Sequence, residues 1–314
     1  MTRRKKWIKR SIWSLSILFV LMNLVAIFHS YKFTHFSDDI SLKTKAPKDL
    51  TFGQKVSTLI FGVSNPRPEN EKTPEKDFEI VKLKSNKEIE CWSIEVDNSK
   101  GTVILFHGFS SEKSSLLEES AVFNQMGYST FLVDFMGSGG SEGNQTTIGF
   151  FEADQVKTSV EYIKGKGIDA IYLYGSSMGA VAIMKAINDH KLQPKGIILE
   201  CPFGTMSQTV AARFENMGVP AFPMSTLLVF WGGVQNGFWA FGHNPTEYAK
   251  TIKCPTLLLY GAKDEKVSRS EIKDIFKNLQ GEKELKVYQE AGHESYLEKY
   301  RDEWMGDIDQ FLNR

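Results

Sequence analysis

Short apolar runs alternate with helix-like stretches along the chain from about residue 79 onward. The apolar runs lie at residues 102–106, 130–133, 170–174, 196–199, 256–260 and 285–288, and the helix-like stretches lie at 116–126, 150–164, 179–190, 270–279 and 296–312. A continuous apolar run is typical of a strand that is buried on both faces. The alternation therefore predicts an α/β fold with a mostly parallel central sheet and helices on both faces. Residues 78–83 and 89–94 alternate in hydrophobicity instead, which predicts an antiparallel pair at one edge.

One long segment interrupts this alternation. Residues 204–245 separate two predicted strands by more than one crossover helix needs, and they are rich in aromatic residues. We interpret the segment as an inserted helical lid over the carboxyl ends of the strands, where chemistry collects in such sheets. Its aromatic side chains are candidates for binding an apolar acyl chain, or they pack the lid onto the core. The candidates are Phe230, Trp231, Phe238 and Trp239.

The sequence Gly175-Ser176-Ser177-Met178-Gly179 matches the pattern G-x-S-x-G. It follows an apolar strand and precedes a helix, which is the context that a nucleophile elbow requires. The two glycines allow a sharp turn that exposes the central side chain. The pattern therefore predicts that Ser177 is a catalytic nucleophile and that Ser176 is a neighbour.

A serine hydroxyl needs a general base to become nucleophilic at neutral pH. Among the six histidines, His293 follows the last predicted strand, from where a loop can reach the elbow. Asp264 follows the strand before it and is the predicted acid that orients the imidazole. Glu200, at the end of an earlier strand, and Glu265 are the alternative acids.

Negative charge that develops on a substrate oxygen needs preorganised donors. The backbone N–H of Met178 is one predicted donor, because it follows the nucleophile. The backbone N–H of Phe109, in the loop after residues 102–106, is the other. His107 is expected to shape that loop. This chemistry requires no metal and no organic cofactor.

The N-terminus carries a strong charge asymmetry. Six basic residues and no acidic residue occupy positions 1–10, and an apolar run from Ile12 to Phe28 follows. The run approaches the roughly 20 residues that cross a bilayer core. Its end lacks the small-residue pattern of a cleavage site, which favours an uncleaved signal anchor over a cleaved signal peptide. The positive-inside rule then predicts a cytoplasmic N-terminus and a catalytic domain outside the cytoplasm.

These features divide the chain into three parts. Residues 1–36 form the basic N-terminus and membrane anchor, residues 37–78 form a connector, and residues 79–314 form the catalytic domain with its lid. Within the connector, residues 50–61 predict a short amphipathic helix. The 38 basic residues equal the 38 acidic residues, so the charge balance gives no indication of a nucleic-acid partner. Three scattered cysteines, Cys91, Cys201 and Cys254, indicate buried thiols, and an exported domain could still pair two of them.

With these motifs in place, the chain resembles the α/β-hydrolase superfamily over about residues 79–314, in particular its serine-aminopeptidase-like and monoacylglycerol-lipase-like branch. The resemblance rests on His107-Gly108-Phe109, Asp134 to Ser141, Gly175 to Gly179, Pro255 to Asp264 and Gly292-His293. The family usually has D-x-R-G-x-G-x-S, and Met136 replaces the arginine here, which removes one structural ion pair. Membrane-anchored members with a basic start also occur in the family.

The resemblance and the predicted triad together imply a serine hydrolase that cleaves a carboxylic ester or thioester through an acyl-enzyme. The aromatic lid and the anchor favour a hydrophobic small-molecule substrate, which includes lipids. A serine aminopeptidase is the alternative, and it would need an acidic pocket for a free amine, for which Glu215 and Glu247 are candidates. A non-catalytic binding protein is a further alternative, against which the intact predicted triad argues.

Overall fold

An eight-stranded sheet lies at the centre of the computed structural model, which describes residues 3–37, 39 and 50–314. The strands are β1 (Glu79–Lys84), β2 (Glu88–Ile94), β3 (Thr102–Phe106), β4 (Ser129–Val133), β5 (Ile171–Ser176), β6 (Gly196–Glu200), β7 (Thr256–Gly261) and β8 (Lys283–Tyr288). Their order across the sheet is β1-β2-β4-β3-β5-β6-β7-β8. The pairs β1–β2 and β2–β4 are antiparallel and the other pairs are parallel, which confirms the predicted fold class.

Helices cover both faces of the sheet. They are α1 (Arg3–Thr34), α2 (Phe52–Phe61), α3 (Leu117–Gln125), α4 (Glu152–Gly165), α5 (Met178–His190), α6 (Met206–Asn216), α7 (Met224–Asn236), α8 (Pro245–Tyr248), α9 (Arg269–Asn278), α10 (Tyr296–Lys299) and α11 (Arg301–Leu312). The helix predicted at 296–312 is two helices, because Tyr300 leaves the helical conformation at φ −130° and ψ 46°. Its ring packs against Tyr288, with the ring centroids 5.3 Å apart.

Strand β3 illustrates how the core forms on both faces. Every residue of β3 is buried, and successive side chains of a strand point to opposite faces. Ile104 and Phe106 belong to the cluster under α4, α5 and α9, whereas Val103 and Leu105 belong to the cluster under α3 and α11. Complete burial of each such side chain contributes about 1.5–3 kcal/mol. The two clusters fix the strands, and thereby the strand ends from which the candidate site is built.

Helix α1 is a candidate membrane span. It has 32 residues, and its most apolar window has a mean hydropathy of 2.2 with 6% of that window buried. The predicted apolar span, residues 12–28, lies within it. Buried residues appear towards its C-terminal end, at Ala26, Ser30 and Thr34. That end packs against α7, in the segment predicted to be the lid.

The segment between β6 and β7 contains α6, α7 and α8. Upstream of the sheet, α2 occupies the position predicted for a connector helix, and Thr51 and Gln54 form a capping box at its start. The remaining connector positions at 38 and 40–49 lie outside the described residues. They include Asp38 and the basic stretch from Lys45 to Lys48.

The connector also supplies an arginine to the loop in which Met136 replaces the family's arginine. The guanidinium of Arg67 donates to the carbonyl oxygens of Gly139 at 2.9 Å, Ser141 at 2.6 Å and Gly143 at 3.2 Å. Met136 itself is buried. A cation from a different part of the chain therefore fixes this loop, which the family motif alone does not indicate.

Candidate functional site

Ser177 lies at a sharp turn between β5 and α5. Its backbone has φ 48° and ψ −106°, a left-handed conformation that is rare for a residue with a side chain. The flanking glycines are required sterically. A Cβ at Gly175 would lie 2.6 Å from the backbone nitrogen of Ala180, and a Cβ at Gly179 would overlap the carbonyl oxygen of Phe106. The turn has the geometry of a nucleophile elbow, with the Ser177 side chain in a pocket.

The structure brings Ser177, His293 and Asp264 into one hydrogen-bonded chain. Nε2 of His293 lies 3.1 Å from Oγ of Ser177, and Nδ1 lies 2.7 Å from Oδ2 of Asp264. The Asp264 side chain is completely buried. Its other oxygen accepts hydrogen bonds from the backbone N–H groups of Lys266 at 2.7 Å and Val267 at 2.9 Å. These bonds fix the carboxylate, which in turn orients the imidazole towards the serine.

Glu200, the first alternative acid, has a different set of contacts. Its Oε1 accepts a hydrogen bond from the indole N–H of Trp304 at 2.7 Å. Burial raises the pKa of Glu200 to about 8, although the bond from Trp304 opposes the shift. Glu265 is exposed. Asp264 is therefore the carboxylate in contact with His293, and neither alternative is.

The two predicted oxyanion donors lie beside Ser177. Met178 is the first residue of α5, where backbone N–H groups have no acceptor within the helix. A Cβ at Gly108 would lie 3.8 Å from the Cβ of Ser177, so the loop that carries Phe109 passes next to the nucleophile. His107 holds this loop, because Nδ1 donates to the Gly108 carbonyl at 2.8 Å and Nε2 accepts from the Phe135 N–H at 3.0 Å. Burial lowers the pKa of His107, which suits this neutral role.

A pocket of about 290 Å³ surrounds Ser177 and His293. Its apolar wall comes from loops and helices at the carboxyl edge of the sheet, namely Phe109, Leu116, Ile148, Met178, Phe203 and Val267. The charged side chains that line it are Glu119, Glu200, Arg213, Lys266 and Glu294. The pocket therefore offers an apolar surface next to the nucleophile together with charged groups of both signs.

The four aromatic residues predicted to bind substrate do not line this pocket. Phe230, Phe238 and Trp239 line a separate hollow of about 320 Å³. Phe238 also stacks on Phe150, with ring centroids 4.3 Å apart. Trp231 donates a hydrogen bond from its indole N–H to the side chain of Asn23 in α1. In the structure Phe238 packs the lid onto the core and Trp231 joins it to α1, whereas Phe230 and Trp239 are exposed.

Sequence reasoning did not identify Arg213 and Glu119 as residues of the pocket, nor the contact of Phe33 with the pocket residue Phe109. Arg213 and Glu119 belong to helices whose inward faces a sequence does not specify. Phe33, near the end of α1, stacks on Phe109 with ring centroids 4.6 Å apart and an interplanar angle of 7°. The available signal for Arg213 was its place in the predicted lid, and nothing in the sequence places Phe33 beside the loop that carries Phe109.

Comparisons with known proteins agree with this architecture. The family model described as "Serine aminopeptidase, S33" matches residues 97–231 and 233–300. The Bacillus subtilis (strain 168) "Uncharacterized protein YqkD" is 23% identical over 245 residues, which cover 76% of this chain and 80% of that protein. A "Carboxylesterase" of the same organism is 23% identical over 233 residues, which cover 68% of this chain and 92% of that protein. The solved structure of the Pyrococcus furiosus esterase Pf2001 has a TM-score of 0.67 at 23% identity, over 80% of this chain and 97% of that one.

Proposed function

Since the chain belongs to the serine aminopeptidase S33 family of α/β-hydrolases, we propose that it is a serine esterase that cleaves a carboxylic ester or thioester at Ser177. The observation that carries this proposal is the hydrogen-bonded chain from Ser177 through His293 to Asp264. A nucleophile, a base and an acid that orients the base are the parts that acyl transfer needs.

The proposed mechanism follows from the distances. His293 Nε2 takes the hydroxyl proton of Ser177 as Oγ attacks the acyl carbon, and the Asp264 carboxylate stabilises the imidazolium. The N–H groups of Phe109 and Met178 stabilise the oxyanion. His293 then returns the proton to the leaving alcohol or thiol as its bond to the acyl carbon breaks. A water molecule then attacks the acyl carbon as His293 takes its proton, the bond between that carbon and Oγ of Ser177 breaks, and His293 returns the proton to Oγ as the acid leaves.

Two observations favour an ester over a peptide. One of the two Bacillus subtilis relatives is named a carboxylesterase. Neither Glu215 nor Glu247, the acids considered for binding a free amine, lines the pocket around Ser177, and Glu247 pairs with Lys250 at 2.7 Å. The apolar wall of the pocket supports a substrate with a short apolar part next to the scissile bond. A complete triad argues against a purely non-catalytic binding protein.

Covalent labelling of the purified full chain in detergent tests this function. A fluorophosphonate probe should label the wild type and Ser176→Ala, but not Ser177→Ala. Ser176 is a matched control, because it is the adjacent residue with the same side chain. In a separate assay without the probe, a panel of para-nitrophenyl esters of graded acyl length should be hydrolysed by the wild type and Ser176→Ala but not by Ser177→Ala. Labelling that survives in Ser177→Ala would contradict the nucleophile assignment.

We also infer that α1 anchors the protein in a membrane, with residues 1–10 in the cytoplasm and the catalytic domain outside it. The six basic residues before the apolar span support this orientation. A C-terminal reporter that works only after export should be active, and a reporter that works only in the cytoplasm should be silent. The reverse pattern would contradict the orientation. A shortened mature protein would indicate that the segment is cleaved.

A further inference from the structure

One wall of the pocket carries two cations, Arg213 of α6 and Lys266 of the loop after β7. The guanidinium of Arg213 is held from two sides. Its Nη1 donates to the carbonyl oxygen of Thr209 at 2.7 Å and approaches the hydroxyl of Thr209 at 3.3 Å, and its Cζ lies 4.8 Å from the centroid of the Phe33 ring. Arginine has five N–H donors. Within the described part of the chain, no hydrogen bond engages the donors on Nε and Nη2, so they remain available to a ligand.

The acidic groups that line the pocket do not neutralise these two cations. Glu294 pairs with Lys299 at 2.8 Å. Asp264 lies outside the pocket lining and pairs with His293, although its charge also acts on Lys266. Burial raises the pKa of Glu200 to about 8 and the pKa of Glu119 to about 7. Both carboxyls therefore hold their proton more tightly than an exposed glutamate does, which weakens their ability to neutralise a cation. Neither Arg213 nor Lys266 forms an ion pair with a carboxylate among residues 3–37, 39 and 50–314.

The charge of Arg213 also acts on Lys266. Partial burial and then the charge of Arg213 lower the pKa of the Lys266 ammonium, and the charge of Asp264 opposes this shift. Burial lowers the pKa of Arg213 to about 10. An anion bound in the pocket would be attracted by both cations, and it would offset the effect of one cation on the other.

We propose that Arg213 and Lys266 form an anion-binding subsite, and that the substrate is an ester whose acyl or alcohol part carries a carboxylate or phosphate group. This inference rests on the proposed ester hydrolysis at Ser177, because both cations line the same pocket as the nucleophile. The planar guanidinium can bind a carboxylate or phosphate through two parallel hydrogen bonds. Lys266 adds a point charge, and the apolar wall contacts the remainder of the substrate.

Two pairs of esters, each with an anionic and a neutral member of similar size, test the subsite. For the acyl part, para-nitrophenyl hydrogen adipate is compared with para-nitrophenyl hexanoate, which has the same chain length without the carboxylate. For the alcohol part, para-acetoxybenzoate is compared with its methyl ester. We expect the wild type to prefer the anionic member of one pair, and the responding pair identifies which half of the substrate carries the charge. Inhibition by free adipate and by butyl phosphate then compares the two anions.

The measured quantity is the ratio of kcat/KM for the anionic ester to kcat/KM for the neutral ester. In Arg213→Gln this ratio should fall about tenfold to a hundredfold, as expected for the loss of a charge-assisted hydrogen bond. Arg213→Lys, which keeps the charge but not the planar fork, should give an intermediate ratio. Lys266→Gln provides a second variant at an exposed side chain if Arg213→Gln does not fold. Added salt should reduce the wild-type preference.

A control variant and a binding measurement complete the test. Arg269→Gln removes an exposed cation at the start of α9, outside the pocket, and should leave the ratio unchanged. An equal ratio in the wild type, Arg213→Gln and Lys266→Gln for both pairs would overturn the subsite while ester hydrolysis stands. If the wild type hydrolyses none of the four esters, the proposed function fails, and binding decides the subsite. Adipate should then raise the melting temperature of Ser177→Ala but not of Ser177→Ala/Arg213→Gln, and no shift in either would overturn the inference.

Discussion

The indole N–H of Trp231 donates a hydrogen bond to the side-chain oxygen of Asn23, at 2.9 Å, and so joins lid helix α7 to α1. The Asn23 amide also donates to the carbonyl oxygen of Phe19. Further along both helices, Gln235 bonds to Ser30 and to the carbonyl oxygen of Ile27. Asn23 is a polar residue within the predicted membrane span, and its amide is used for helix–helix contact.

We predict that this bond couples α1 to the lid energetically. Asn23→Leu leaves the Trp231 N–H without its acceptor, and we expect a loss of about 1 kcal/mol in unfolding free energy of the full chain. Trp231→Phe removes the donor. In a double-mutant cycle measured by unfolding in detergent, the second change should cost less once the first is present. Strictly additive losses would mean that the two side chains do not interact in the folded protein.

We predict that Asp264, and not Glu200, is required for turnover. Asp264→Asn should lower kcat by about 10⁴-fold, because the amide favours the wrong histidine tautomer. Glu200→Gln is the control, since it is also a buried carboxyl that lines the pocket, and it should retain most of the activity. Steady-state rates with a para-nitrophenyl ester measure both. A greater loss in Glu200→Gln would reverse the assignment of the acid.

Glu200 should instead influence stability as a function of pH. Burial raises the pKa of Glu200 from 4.5 to about 8 in the folded protein. Between these values the folded state holds a proton that the unfolded state has lost, so this group makes folding less favourable as the pH rises through the window. Glutamine does not titrate. The melting temperature of Glu200→Gln should therefore increase relative to that of the wild type as the pH rises from about 5 to about 8. A difference in melting temperature that stays constant across that pH range would contradict the prediction.

Lys113 should be required for folding of the loop after β4. Its fully buried ammonium pairs with Asp134 and, at 3.0 Å, with Glu90. Lys113→Met leaves a buried carboxylate without its cation, which should cost about 3–5 kcal/mol of unfolding free energy. Lys157→Met, which breaks an exposed pair with Glu161, should cost about 0.5 kcal/mol or less. Chemical unfolding of both variants provides the comparison, and similar losses would mean that the buried pair contributes little.

Features that depend on residues adjacent in sequence could be predicted, whereas features that depend on distant residues could not. The turn at Ser177 is determined by a strand, two glycines and a helix that are adjacent in sequence, so its position could be predicted. The sheet could be predicted for the same reason, because each central strand is a continuous apolar run in the sequence. The contacts of Trp231 depend on Asn23, more than two hundred residues away. The sequence indicates an aromatic lid, but it does not specify which surface the aromatic rings contact.

The loop that contains Met136 shows the same limit. Comparison with the family motif shows a missing arginine and implies a lost ion pair. In the structure, Arg67 reaches this loop from the connector. A cation can satisfy the same carbonyl groups from any part of the chain that passes nearby, and only the packing of that segment determines which residue does so.

The stack of Phe33 on Phe109 joins the candidate membrane helix directly to a loop of the pocket. An enzyme on a long flexible linker explores a volume above the membrane. Here the ring that touches the oxyanion loop follows the apolar run by five residues of continuous helix, a rise of about 7.5 Å. In the proposed orientation, the pocket that contains Ser177 would therefore lie near the lipid headgroups and would not range freely above them. That position would give the pocket ready access to molecules that lie at the membrane surface.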